Sequence, residues 1–433
     1  MSNKSLLKTL GPGILFASTC IGVSHLVQST KAGANYGFEL VWAIMLANLF
    51  KYPFFEFTSR YANATGTSII DGYRKLGKGV LWLYMAITVS TMFFVCAVVG
   101  VITAGFLDNL LDIKVKLENI GLPHANLGSP ILVFVVCIGI LLAGKYKLLD
   151  SMIKIIGAVL LTSTLLAFVL ALIKGPAVDF DVKFINFNDS LPLFVVPLMG
   201  WMPTALDLSA WNSLWTVARI KQTGYHPKLK ETMFDFNFGY IASAVLALCF
   251  VTLGAYLMYE TGNQLPKSAG DFSARVVNMY TEALGDWSYW VIAPAAFSIM
   301  FGTAIAVFDG YARSMERMLE ILLHHKKGQE ELDKRKNEYN LTLILVGIIS
   351  FGILYFTVYD SSLDNTEGFG SLVDFTTAFS FVVAPIIAVI NFILVQKRFV
   401  GEEFEPPVWK KILGYVGIVF LTAFSVFYFI YEG

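Results

Sequence analysis

Val196-Pro197-Leu198-Met199-Gly200-Trp201-Met202-Pro203-Thr204-Ala205 is apolar enough to enter a bilayer and poorly made for an unbroken helix. Each proline removes a backbone donor and crowds the preceding turn, and Gly200 weakens the same turn. A second interruption lies far upstream, in Cys20-Ile21-Gly22-Val23-Ser24-His25-Leu26. Here Gly22, Ser24 and the ionisable ring of His25 fall in the middle of an apolar run that opens with Gly11-Pro12-Gly13. A polar group in hydrocarbon is costly, so an intramembrane histidine marks a functional site. The plain alternative is two unrelated kinks, since Pro and Gly are frequent in membrane helices. Polar content and matched position favour the functional reading.

The match appears when the spans are counted. The 433 residues are 56% hydrophobic and 15% charged, with a mean hydropathy of +0.64. A soluble protein carries about 25% charged residues. A spanning helix needs about 20 mostly apolar residues. Eleven segments qualify, approximately 10–30, 38–58, 80–107, 130–143, 151–174, 191–216, 237–259, 287–312, 341–359, 372–396 and 410–431, the fourth being short. The interruptions fall in the first and the sixth. Breaks in corresponding positions of two halves are the sequence signature of an inverted-repeat transporter site.

Charge sets the orientation. With the N-terminus inside, 24 of the 32 Lys and Arg lie on cytoplasmic segments and 7 on external ones, with Lys51 inside a span. The positive-inside rule then predicts a cytoplasmic N-terminus and an external C-terminus. The start, MSNKSLLKTLGPG, lacks a cleavable signal pattern, so the first span is expected to be retained. Cys20, Cys96, Cys137 and Cys249 all fall in apolar runs and read as packed thiols. His324 and His325, in the charged stretch Glu316 to Glu338, read as part of a solvated cytoplasmic loop. The external loop 107–129 shows no ligand spacing and is given no chemistry.

Orientation also gives the breaks their chemistry. Span one runs outward, so its second half starts near Ser24. Span six runs inward, so its second half starts near Thr204. Both half-helix N-termini then offer free N–H groups to the midplane, and freed carbonyls are expected at Ile21, Gly22, Met199 and Gly200. Such a pocket accepts a cation through carbonyls or an anion through N-termini. Trp201 beside the break reads as packing. One turn into the inner half, Asp207 is an intramembrane carboxylate that suits proton or cation handling in an inner vestibule, or a structural hydrogen bond beside a cavity. With His25 it forms a candidate proton/ion-coupling pair. Glu56 and Arg60, and Asp309 and Arg313, are spaced as i,i+4 ion pairs. Gln28, Ser29 and Thr30 lie toward the outer end of span one.

These residues resemble the Nramp family of metal-ion transporters. Gly11-Pro12-Gly13-Ile14-Leu15 is similar to that family's start of the first helix, and Ser59-Arg60-Tyr61-Ala62-Asn63-Ala64-Thr65-Gly66 to its second-helix exit. Met202-Pro203 resembles its sixth-helix Met-Pro, and Gly302-Thr303 its eighth-helix Gly-Thr. The resemblance runs through the tenth helix. It implies the LeuT-type fold, an all-α integral membrane protein of five plus five inverted helices with an eleventh added and helices 1 and 6 broken at the midplane. The chain is then one transmembrane domain over 1–433, with repeat one about 10–174, repeat two about 191–396 and the extra helix about 410–431.

The departures fall on the cargo site. An ungapped match places the family's Asp-Pro-Gly-Asn signature on Gly22-Val23-Ser24-His25, so its metal-binding aspartate is Gly22 and its asparagine is His25. Met202 keeps the soft thioether, the carbonyl position one turn earlier falls on Met199, and the histidine after Met-Pro becomes Thr204. A tenth-helix glutamine maps near Thr377. The third-helix carboxylates of the family's proton route fall near the apolar Phe94 and Ala97. A dication needs anionic or several good donor ligands, and His25, Met202 and backbone carbonyls suit a softer transition metal better than Mg2+ or Ca2+.

The expected function is therefore secondary active transport by alternating access, with His25 and Met202 as metal ligands if the cargo is a divalent transition metal. Gly22, Ser24, Met199, Gly200, Thr204 and Thr377 complete the substrate site, and Asp207 assists coupling to H+ or Na+. The alternatives are a small organic, anionic or zwitterionic solute, and a transport-inactive sensor on the same fold. No nucleophile–base pair can be placed, so no enzyme and no resident cofactor are expected. The expected partners are the lipid bilayer and a small substrate or ion, with no nucleic acid, and the protein is expected as a monomer in the plasma membrane.

Overall fold

The structure is a computed structural model, and it describes residues 11–143, 161–178, 191–261, 266, 268–323, 329–359 and 368–432. The charged N-terminal stretch, the start of the fifth span, and His324 and His325 lie outside the described residues. Among the described residues the chain is helical throughout its spans, with no strand.

Among the described residues, seven helices are long and apolar enough to cross a membrane: Lys78–Leu111, Ala125–Leu142, Leu229–Met258, Asp286–Leu323, Asn337–Tyr359, Gly368–Leu394 and Val408–Ile430. They are the third, fourth, seventh, eighth, ninth, tenth and eleventh expected spans. The fourth is as short as its sequence implies. The described part of the fifth is the apolar helix Leu161–Lys174. The second, Val41–Thr65, is long but carries Lys51, Glu56 and Arg60, all buried. The first and sixth are each built in two pieces.

Small residues bring the first span onto the seventh. A Cβ on Gly239 would lie 2.0 Å from the Gly13 carbonyl oxygen, and one on Gly254 would lie 2.4 Å from that of Thr30. Backbones this close are the usual device of membrane helix packing, where dispersion replaces the hydrophobic drive. At the N-terminal end of the first span, Asp235 of the seventh accepts from Gly11 N (3.1 Å) and Gly13 N (2.7 Å). Its carboxylate thereby satisfies two of the orphan donors that open the first helix.

The two expected i,i+4 pairs are present. Glu56 Oε1 lies 2.5 Å from Arg60 Nη2 and 2.8 Å from Lys410 Nζ, tying the second span to the eleventh. Asp309 Oδ2 takes Arg313 Nε at 2.6 Å, while its Oδ1 accepts from the Tyr339 hydroxyl at 2.8 Å. Cys20, Cys96, Cys137 and Cys249 are free and buried.

Candidate functional site

The first span is helical over Pro12–Cys20, opens at Ile21 and Gly22, and resumes as a π-helical turn, Ser24–Ser29, that runs into Thr30–Tyr36. The restart at Ser24 is where the sequence put it. The carbonyl accounting differs from expectation at Gly22. Its oxygen accepts from His25 N (3.2 Å) and Leu26 N (2.9 Å), so it closes the first turn of the second half and is not a free ligand.

Ser24 and His25 turn away from bulk space into hydrogen bonds. Ser24 Oγ donates within reach of the Cys20 carbonyl (2.6 Å) and the Pro203 carbonyl (3.1 Å), stitching the two breaks together. His25 is fully buried. Its Nδ1 lies 2.8 Å from Ser24 Oγ and its Nε2 lies 2.9 Å from the Ser243 carbonyl of the seventh span. A carbonyl only accepts, so Nε2 carries the proton in this arrangement and the ring is committed to a donor role there. The slot where the resembled family holds its aspartate is filled differently: a Cβ on Gly22 would meet Thr303 Cγ2 at 2.7 Å and Oγ1 at 2.9 Å. Thr303 is held there by its bond to the Ser18 carbonyl, 2.9 Å.

The sixth span is helical over Leu191–Gly200, loses its helix through 201–205, and resumes with the short turn Leu206–Leu208 and the helix Ser209–Thr223. The second half therefore starts two residues later than expected, because Ala205 is extended (φ −61°, ψ 137°). Gly200 is required by packing: a Cβ there would lie 2.1 Å from the Thr377 carbonyl oxygen of the tenth span. Trp201 packs as expected and also donates from Nε1 to Ser380 Oγ at 2.9 Å.

The residue that sequence reasoning passed over is Lys51. Its Nζ lies 2.7 Å from the Met199 carbonyl, 2.7 Å from the Gly200 carbonyl and 3.4 Å from the Thr204 carbonyl. An ammonium from the second span is thus seated on carbonyls at the break of the sixth, of which that of Met199 also accepts from Met202 N at 3.3 Å. The signal was available, since a lysine inside an apolar span is as costly as a histidine and marks a site by the same argument.

Asp207 is buried, with Oδ2 accepting from Thr91 Oγ1 at 3.0 Å. Its Oδ1 is buried without a well-formed hydrogen bond, near the amides of Asp207 and Leu208. Lys51 lies within electrostatic reach of it. Thr377 spends its hydroxyl on its own helix, at the Val373 and Asp374 carbonyls. Met199, Met202 and Thr204 are buried with the rest, so the breaks are closed to solvent on both sides. Gln28 donates to Asp374 of the tenth span at 3.2 Å. No group of three or more His, Cys, Asp or Glu able to hold a metal occurs among the described residues.

Two broken helices that meet at a buried centre, inside a bundle of spanning helices, define a LeuT-type secondary transporter. Residues 13–431 match the family model described as natural resistance-associated macrophage protein-like, and the chain belongs to this Nramp family. An uncharacterized protein of Pasteurella multocida is 34% identical over 98% of this chain and 92% of its own length. Among solved structures, a point mutant of the Eremococcus coleocola manganese transporter superposes with a TM-score of 0.67 at 14% identity, covering 98% of this chain and 86% of that one. MhsT in complex with L-phenylalanine superposes with a TM-score of 0.57 at 14% identity, covering 97% and 98% respectively.

Proposed function

We propose that this chain is a secondary active transporter of the plasma membrane whose cargo is a small organic solute bearing an anionic group. The observation that carries the cargo is the position of Lys51 Nζ on the carbonyls of Met199, Gly200 and Thr204. Those oxygens are the natural seat for a positive charge in a broken-helix site. A dication brought there would face an ammonium at close range and find no carboxylate ligand from the first span. An anion meets the opposite field: Lys51 and two half-helix N-termini. His25, Ser24 and Thr204 lie at the same breaks, and for Ser24 and His25 to reach cargo their present bonds to the Cys20, Pro203 and Ser243 carbonyls must open. In this reading Asp207 and His25 handle the coupling proton, and the carrier works as a monomer in the bilayer, without resident cofactor or nucleic acid, releasing its cargo chemically unchanged.

The second reading, a divalent transition metal, is favoured by family membership and by the buried Met202 thioether at the break. One experiment separates them. Purified protein is titrated with Mn2+, Cd2+ and Zn2+, and with a panel of mono- and dicarboxylates, while heat and thermal unfolding are followed. The expected result is a saturable response to one carboxylate class, lost in His25→Ala, with none to the metals. A metal response that His25→Ala or Met202→Ala abolishes overturns the anionic reading. N-terminus inside and C-terminus outside complete the proposal, on the Lys and Arg distribution.

A further inference from the structure

Lys51 is fully buried, and its Nζ has three carbonyl oxygens around it. An ammonium has three N–H donors, a neutral amine only two, so three acceptors match the charged form. The face of Phe381 lies 5.7 Å from the same nitrogen, a further cation-binding element. Asp207 adds a negative charge within electrostatic reach. The oxygens do not come together for the lysine's convenience. Pro203 has no N–H to give the Met199 carbonyl, which keeps only a bond from Met202 N at 3.3 Å, and the extended Ala205 stops the helix before the Gly200 and Thr204 carbonyls can be satisfied within it. Without Lys51 the Gly200 and Thr204 oxygens would lose a donor in a buried place, and an orphaned buried carbonyl costs the full desolvation of the group.

We infer that the Met199, Gly200 and Thr204 carbonyls with the Phe381 ring form a monovalent-cation site whose resident is the tethered ammonium of Lys51. Removing the side chain then leaves a cavity with the same acceptors, and a small free ammonium ion occupies it. The second span thus supplies as a covalent part of the protein what a carrier with an empty site would take from solution. The inference rests on the same Lys51 contacts as the cargo reading but fails separately, since its readout is stability and involves no cargo.

The test is thermal unfolding of the purified full chain in methylammonium chloride against equal choline chloride, whose cation is too large for the cavity. Lys51→Ala is expected to melt below wild type in choline and to regain at least about 2 °C in methylammonium, saturably. Wild type is expected to show no difference between the two salts. Lys51→Met, which fills the space without a donor, is expected to melt low and gain nothing. No methylammonium effect on Lys51→Ala, or an equal effect on wild type or Lys51→Met, overturns the inference. Should Lys51→Ala not fold in choline, folded recovery only in methylammonium supports it, and failure in both salts overturns it.

Discussion

At the scale of single residues, the site is decided by three positions that carry no carboxylate. Gly22 leaves no side chain where the resembled family has its aspartate, and Thr303 has taken the space. Gly22→Asp alone is therefore expected neither to bind Mn2+ nor to fold well, since small-to-large changes against packed atoms typically cost about 1–3 kcal/mol. Pairing it with Thr303→Ala restores stability while Lys51 still repels the ion, and calorimetry with Mn2+ should stay flat until Lys51 is also removed. His25 was legible as a buried polar group at the break because its cost in a membrane is local. Its partner Ser243 was not, because a contact 218 residues away leaves no periodic trace. Asp207 was legible for the same reason as His25, and Lys51 could have been. Asp207→Asn keeps the volume and the Thr91 contact but cannot carry a proton. It is expected to uncouple cargo movement from proton movement, read by a pH-sensitive dye in the lumen of proteoliposomes. Unchanged coupling in both Asp207→Asn and His25→Ala would remove them from the proton route.

At the scale of elements, proline and glycine made the breaks readable to within two residues. The restart at Ser24 agrees, and the delay to Leu206 follows from the extended Ala205, a backbone choice that composition does not announce. The free carbonyls were less readable. Gly22 was expected to offer its oxygen, but a π-helical restart recruits that oxygen twice. The close approach of the first span to the seventh gives a direct test. Gly254→Val drives a side chain into the Thr30 carbonyl, where the Cβ alone would sit 2.4 Å away. The expected loss is about 3 kcal/mol or failure to fold, seen as lost monodisperse yield on size-exclusion chromatography. Glu56→Gln leaves the buried cations of Arg60 and Lys410 facing each other without their anion. Breaking a buried charge network in this way costs about 3–5 kcal/mol, and the melting temperature should fall accordingly.

At the scale of the whole molecule, eleven spans and their charge asymmetry give an expected side for every loop. The native cysteines are buried, which makes the topology simple to check. A membrane-impermeant maleimide applied to intact cells should label Gly433→Cys and spare Ser2→Cys, and the reverse pattern would invert the assignment. The architecture was readable because hydropathy and breakage are written along the chain. The closed state of the centre was not, because it depends on which distant helices meet. That closure has a mechanical consequence. Gly13 with Gly239, and Thr30 with Gly254, fasten the first span to the seventh near both ends by backbone contact, whereas the first span meets the eighth through the side chain of Thr303. The first pairing has no slack to slide, whereas the second is held at Gly22 by a side chain that can change rotamer. When the centre opens, the first and seventh spans should travel together as a single rigid blade, and the seam that parts should run along Thr303.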